Sequence, residues 1–417
     1  MQKKIVISAV AFTLAAALPV VLTTSAQQKQ LEFITTNLAT FADFYNPLVE
    51  KYGKTTGNAL KWTDLPQAAI QQKVLAGVAA GNPVDAVQLN STQVLELSQQ
   101  GALLPLNDLL DAKTLSVYQK TAKDAFTFEG KLYALPDYAT TRIVAYNTEI
   151  LKKAGIDENA LPKSIQGVLE MGKTIKDKAG VYGISPLIDG VNFLKTFQEA
   201  GLPIFNEKRS KAVFNSSEHV ALLQQYVDLR KKDYFPEDSM RKGFTAAYEL
   251  FSAGKLGIII IGPTFMPRLE KDNNAVWKVT KVAAHPVGLG GVVQASTFAY
   301  AVPKGVTDPK TSAQLAAWLT NDENQLAFAK RTGTTFPTTV KAAKNNFFKT
   351  GGKGNVNEQA RLAAARTMGK GRDLNVPVPN ASELNKAFKD NIEAAIYGQK
   401  TAKQALDDIV KIWNANL

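Results

Sequence analysis

Leu31-Glu32-Phe33-Ile34-Thr35, Ala59-Leu60-Lys61-Trp62 and Val84-Asp85-Ala86-Val87-Gln88-Leu89 are three strand-like runs, each separated from the next by a helix-like stretch. Phe41 to Tyr52 fills the first gap, and Ile70, Val74, Leu75 and Val78 recur at helical spacing in the second. Gly81-Asn82-Pro83 stops that second helix, since proline cannot continue the ladder of backbone bonds. A shorter helix follows and ends at Gly101, where a residue without a Cβ takes the left-handed cap at no steric cost. Strand and helix in alternation predict βαβ units, and so an α/β fold whose sheet is mostly parallel and flanked by helices.

A second series begins at Arg142-Ile143-Val144-Ala145-Tyr146. Helices are predicted around Ser164 to Lys178 and Ser217 to Lys231, and Leu256 to Ile261 is an apolar run of the length of one buried strand. Val279 to Ala284 and Thr297 to Val302 read as two more strands. Near the C-terminus Leu384, Phe388, Ile392 and Ile396 recur every four residues until Gly398. Thr401 with Gln404, and Thr320 with Glu323, have the spacing of capping boxes that open helices. No internal repeat and no low-complexity linker separates the two series, so two lobes would exchange the chain more than once.

The chain has 417 residues, 45% hydrophobic and 21% charged, the balance of a globular protein. At roughly 150 residues per domain, that length predicts two or three domains. Lys3 and Lys4 precede an uncharged run from Ile5 to Leu22, and Thr24-Ser25-Ala26 offers small residues at a cleavage site. This is the pattern of a secretory signal peptide over residues 1–26. An uncleaved anchor is the rival reading, because ~18 apolar residues just reach across a bilayer; alanine richness, Pro19 and the small-residue exit favour cleavage. Cysteine is absent, which excludes disulfides, thiol catalysis and thiolate metal sites. It also leaves no thiol at the mature start to carry a lipid, so the expectation is a protein free in a periplasm-like space. The formal charge is +12, but its densest basic groups, Glu207-Lys208-Arg209-Ser210-Lys211 and Arg230-Lys231-Lys232-Asp233, contain acids. A solvated basic surface fits better than a nucleic-acid face.

Catalytic constellations are scarce. His219 and His285 are the only histidines, and neither has a metal-ligand spacing, so each reads as a structural or surface histidine. There is no Gly-x-Ser-x-Gly elbow and no phosphate loop. Gly288-Leu289-Gly290-Gly291 lacks dinucleotide spacing and reads as a loop that lets backbone approach a ligand, with Gly291 the candidate. Catalytic residues, metal and cofactor are therefore expected to be absent. Trp62, Asp64, Asn90, Tyr138, Asn192, Phe193 and Phe336 fall in or beside loops after predicted strand ends, where open α/β sheets hold ligands. Asn37, after the first strand, belongs with them. Amides and carboxylates pair with hydroxyls, and aromatic faces take the C–H side of a sugar. On that basis Tyr138→Ala and Asn90→Ala are expected to weaken binding without lowering the melting temperature.

Phe128-Glu129-Gly130-Lys131-Leu132-Tyr133-Ala134-Leu135-Pro136, followed by Val144-Ala145-Tyr146-Asn147 and Ala154-Gly155, resembles a signature of the extracellular solute-binding proteins of carbohydrate ABC importers, the maltose-binding-protein-like family. Phe251-Ser252-Ala253-Gly254-Lys255 leading to Ile261-Gly262-Pro263, then Ala316-Ala317-Trp318-Leu319 and Gly333-Thr334-Thr335-Phe336-Pro337, follow in that family's order. The resemblance implies a two-lobed periplasmic-binding-protein fold with a hinged cleft. It places residues 27–137 plus 286–332 in an N-terminal lobe and 138–285 plus 333–417 in a C-terminal lobe. Crossovers are implied near Pro136–Thr140, Ala283–Pro286 and Arg331–Phe336. It further implies a monomer that closes on a small carbohydrate and delivers it to membrane permease subunits, with no nucleic-acid partner.

Two departures matter. Ser164-Ile165 stands where the family has Thr-Trp, and Thr264 stands after Gly262-Pro263 where a sugar-stacking tryptophan is common. The loss points to a smaller sugar, a polyol, or a polar or acidic derivative, and Arg142 near a crossover is compatible with an anionic group. The alternatives are a secreted glycosidase, whose paired carboxylates the sequence alone does not locate, and a binder of a sugar acid, glycerol phosphate or polyamine.

Overall fold

The computed structural model describes residues 30–239, 242–351, 354–378 and 380–417; the segment expected to be a signal peptide, residues 1–26, lies outside them. Among these residues no helix is long and apolar enough to cross a membrane. The strands are β1 (Leu31–Thr36), β2 (Leu60–Leu65), β3 (Ala86–Asn90), β4 (Thr127–Phe128), β5 (Lys131–Leu132), β6 (Ala134–Thr141), β7 (Ile143–Asn147), β8 (Tyr182–Ile184), β9 (Leu256–Ile261), β10 (Thr280–Ala284), β11 (Val293–Ala301), β12 (Phe336–Pro337) and β13 (Gly371–Arg372).

The first βαβ units form as their spacing predicts. β1 pairs in parallel with β2, Leu31 opposite Leu60, and with β3, Phe33 opposite Ala86. β1 is flanked on both sides, so Leu31, Phe33 and Ile34 are all buried. The sheet continues in the order β12-β6-β11-β3-β1-β2, with β13 on β11. A second, four-stranded sheet has the order β10-β7-β9-β8. Both sheets are mixed rather than mostly parallel. Helix-linked strands run parallel, whereas β6, β7, β10 and β11, which flank the passages between the sheets, pair antiparallel.

Each sheet has its own core, giving two lobes. One cluster gathers Phe33, Leu89, Leu135, Tyr300 and Phe328 around the seven-stranded sheet. Tyr146, Phe193, Phe197 and Ile258 join the C-terminal helices Ala381–Ile396 and Ala402–Asn414 on one face of the other sheet. Ile143, Ile259, Phe336 and the helix Val356–Met368 fill its opposite face. Leu384, Phe388, Ile392 and Ile396, spaced by four, are all buried, and the Trp413 indole donates to the Leu384 carbonyl at 3.1 Å. The capping box at Thr401 and Gln404 is present. The one at Thr320 is not. Thr320 ends the preceding helix, where its buried hydroxyl donates to Ala316 O and meets Tyr118, and Asn321 caps the next helix instead. At Gly183 a Cβ would overlap the Gly172 carbonyl, so helix Ile165–Ala179 lies on β8 backbone to backbone.

The first and third passages between the lobes differ from their expected places, while the second begins within Ala283–Pro286 as expected. β6 stays in the first sheet through Thr141, so the first passage is Arg142 alone rather than Pro136–Thr140. The second is the loop between β10 and β11. The third begins after β12, whose Phe336 still pairs with Ala139 of the first sheet. It runs through the helix Val356–Met368, returns to β11 at β13, and ends in the second lobe's core.

Candidate functional site

At the C-terminal ends of β1 and β2 three side chains interlock. Thr35 Oγ1 donates to Asp64 Oδ1 at 2.7 Å and accepts the Trp62 indole N–H at 2.8 Å. Asp64 Oδ1 also takes the Leu38 amide at 2.8 Å. The Trp62 ring stacks on Tyr45, centroids 4.8 Å apart, which fixes a half-buried indole beside a carboxylate. Asn37 sits next to them, exposed and in the left-handed region at φ 55°. Its amide closes the turn by donating to Leu65 O at 3.0 Å.

Asn90 and Tyr138 have structural employment that their expected places after strand ends did not reveal; Asn90 closes β3, and Tyr138 lies inside β6 rather than after it. Asn90 Oδ1 accepts the Gln93 amide at 2.9 Å and Gln93 returns the bond, a full capping box on helix Ser91–Gln99. Tyr138 is buried, stacked on Phe298 at 5.1 Å and tilted against Phe328 at 5.5 Å. Burial first, then the Asp137 and Asp64 charges, hold its phenol far above the ordinary tyrosine value.

Arg142 and Asn192 are brought together at the single-residue passage. Arg142 Nη2 donates to Asn192 Oδ1 at 3.3 Å, and Asn192 Nδ2 donates to Asp189 Oδ1 at 3.2 Å. Burial lowers the guanidinium's pKa, opposed by the Glu199 and Asp189 charges. Phe193 points the other way into the core, edge-on to Phe197 and Tyr226, and Phe336 packs on Phe348 at 5.3 Å in another part of the core. Gly262 caps the turn Pro263–Phe265, and Thr264 on it is exposed. Gly291 closes a tight turn at φ 66°, its amide bonded to Gly288 O. That glycine loop is pinned rather than free. A Cβ on Gly288 or Gly290 would overlap Glu199 or Gln198 carbonyls, and Gly290 N donates to Glu199 O at 3.0 Å. Its glycines serve loop-on-helix packing.

A cavity of about 1170 Å³ opens between the lobes, lined by Ser91 and Phe128 on one side, Lys195 and Phe205 on the other, and Asp373 and Asn375 between. None of the candidates read from the sequence lines it. The segment around Leu374 ties the lobes together there. Asn375 Nδ2 donates to Ser91 Oγ at 3.0 Å, Gln198 Nε2 donates to Leu374 O at 2.8 Å, and Leu374 N donates to Gln294 Oε1 at 3.1 Å. Burial raises the Asp373 carboxyl. Burial also pulls Lys195 down to about 8, and the neighbouring Arg142 charge adds to that. No local pattern marks these residues, because only the third passage carries Asp373 to Lys195. His219 and His285 are buried among backbone acceptors, His219 Nε2 at 3.1 Å from Pro203 O and His285 Nδ1 at 2.9 Å from Pro286 O.

Residues 36–326 match the model of a family described as bacterial extracellular solute-binding protein. The chain is 24% identical over 286 residues to a mannitol-binding protein of Pseudomonas aeruginosa, covering 66% of this chain and 65% of that one. It is 26% identical over 240 residues to the diacetylchitobiose binding protein DasA of Streptomyces coelicolor, covering 55% and 56%. The aligned part thus spans less than two thirds of either relative. A solved periplasmic-binding protein from Synechococcus sp. MITs9220 shares the fold, with a TM-score of 0.81 at 24% identity over 92% of this chain and 98% of that one. The matched segment runs from the end of β1 through both sheets to the helix Asp322–Thr332, so it takes in most of the two-lobed framework. By that match and that architecture, the chain belongs to the bacterial extracellular solute-binding proteins.

Proposed function

We propose that this protein is the substrate-binding component of an ABC importer, closing its lobes on a sugar or related polyol and handing it to permease subunits in the membrane. The observation that carries the reading is architectural: two separately cored lobes joined by three passages, one of them the single residue Arg142. Such lobes can rotate as bodies, and a ligand that contacts both shifts the population toward the closed form. Relatives named for mannitol, diacetylchitobiose and galactooligosaccharide binding support a hydroxyl-rich ligand.

The proposed ligand face comprises Asn37, Trp62 and Asp64 at the ends of β1 and β2, Arg142 and Asn192 at the passage, and Gly262 with Thr264 after β9. Its support is that β1 and β2, parallel in one sheet, and β9, parallel to β8 in the other, each end at these residues, and α/β sheets receive ligands at such strand ends. Lobes that divide at Arg142, in the β10–β11 loop and after β12, which moves the expected limits of 27–137 plus 286–332 and 138–285 plus 333–417, join export by a cleaved segment 1–26 and action as a free periplasmic monomer without catalysis in the proposal. A thermal-shift screen of residues 27–417 against neutral sugars, polyols and sugar acids tests it. A ligand at ~100 times its Kd adds about 2.7 kcal/mol of stability. Hydrolysis of a chromogenic glycoside by the pure protein would overturn it.

A further inference from the structure

Asp137 lies fully inside the first lobe, on β6 five residues before the Arg142 passage. Its only hydrogen-bond donor among the described side-chain contacts is the Gln88 amide, Nε2 to Oδ2 at 2.8 Å. Gln88 is itself buried, and its Oε1 accepts the Thr36 amide at 3.3 Å, while its carbonyl takes the Thr36 hydroxyl at 2.9 Å. A buried polar chain thus runs from Asp137 through Gln88 to the last residue of β1. At its other end Asp137 is the chain neighbour of Tyr138.

The surroundings offer the carboxyl little help when it is charged. Tyr45 from helix Ala42–Thr56, Tyr300 from β11, Tyr118 and Tyr138 all sense its charge, and Asp64 and Asp322 act on some of these phenols in turn. Tyr45 and Tyr300 hydrogen-bond to each other. No lysine, arginine or histidine among the described residues acts on the carboxyl. Burial therefore dominates and pushes it up to about 7, with the Gln88 donor pulling the other way. Asparagine would fill the same volume without any charge to bury, so a carboxyl here adds proton sensitivity to a place that needs none for packing.

We propose that Asp137 is a proton-operated positioning residue: gain or loss of its proton, relayed by the Gln88 amide, resets the end of β1 at Thr36 and the Tyr138 ring. The protonated acid is a donor as well as an acceptor, whereas the carboxylate only accepts and must hold the Gln88 amino group facing it. Each change in that bond is felt at the Thr36 amide, which shares the same Gln88 side chain. Thr36 precedes Asn37 and adjoins the Trp62–Asp64 pair, so for its effect on ligand the inference rests on the face proposed above.

The test uses the unliganded protein, so its failure is distinct from failure to bind a sugar. The Asp137 carboxyl carbon and the Thr36 amide are followed by NMR from pH 5 to 9. The expected result is one shared midpoint near neutrality, with the Thr36 titration abolished in Asp137→Asn. If that variant does not fold, the wild-type pair of titrations decides alone. A carboxyl midpoint at the ordinary aspartate value overturns the proposal. So does a Thr36 amide that does not follow the carboxyl, or one that still titrates in Asp137→Asn.

Discussion

Arg142 and Asn192 meet across the shortest passage between the lobes, Nη2 to Oδ1 at 3.3 Å, and no carboxylate of the described residues lies within ion-pair distance of that guanidinium. Asn192 is a neutral partner, and the Glu199 and Asp189 charges offset the burial of the guanidinium only in part. Arg142→Met is therefore expected to leave the unliganded melting temperature unchanged or slightly raised. If Arg142 contacts the ligand, affinity falls about tenfold, the equivalent of 1.4 kcal/mol. Calorimetric titration with a ligand from the thermal-shift screen checks this. A drop in unliganded stability as large as the loss in binding would make Arg142 structural.

Asn90 and Tyr138 now carry different expectations from those their sequence positions suggested. Asn90→Ala removes a capping box and should cost about 1 kcal/mol of stability. Tyr138→Ala deletes a buried ring stacked on Phe298 and should cost roughly 3–5 kcal/mol. Urea unfolding of both variants measures this directly. Unchanged midpoints would return both residues to the ligand face.

Lys195 predicts a pH signature. Its folded value of about 8 lies below its ordinary 10.5, so between those limits the unfolded chain binds a proton that the folded chain has released. Wild-type stability therefore rises as pH increases through that window, and the full burial penalty is present below pH 8. Lys195→Met should stabilise the protein by about 1–3 kcal/mol at pH 7, from ~1.36 kcal/mol per pK unit. The gain should shrink as the pH is raised toward 10. A gain independent of pH would mean that packing, not charge, sets the effect.

Gly183→Ala should lower stability by about 1–3 kcal/mol through overpacking, because the new methyl lands on the Gly172 carbonyl. Gly180→Ala also costs something, since that residue sits at φ 72°, yet a Cβ there meets nothing within 4 Å. The two variants compared by thermal unfolding separate steric overlap from backbone strain. Equal losses would contradict the close contact between helix Ile165–Ala179 and β8.

Much of the fold was legible because it is local. Val84–Leu89 and Leu256–Ile261 announce buried strands by composition, and Ser217–Lys231 is helical over the span its periodicity predicts. Strand pairing across the passages was not legible. Nothing in Ala134–Thr141 says that it runs antiparallel to Val293–Ala301 in the first sheet and hands over to the second at one residue. The site divides in the same way. Trp62 and Asp64, two residues apart on one strand, could be grouped by eye, and they do share Thr35. Asn375 and Ser91 lie 284 residues apart, and their hydrogen bond exists only because the third passage folds back between the lobes. Phe193 and Phe336 looked available after their strand ends, but loop position does not say which way a ring points, and both rings joined the core.

The central claim is that a hydroxyl-rich ligand draws the two lobes together without being altered. Small-angle X-ray scattering of residues 27–417, with and without the strongest stabiliser from the sugar and polyol panel, tests it most directly when the recovered ligand is then analysed. The account predicts a smaller radius of gyration with the ligand and quantitative recovery of that ligand unchanged. An unaltered radius at saturation, or conversion of the sugar into product, would contradict it.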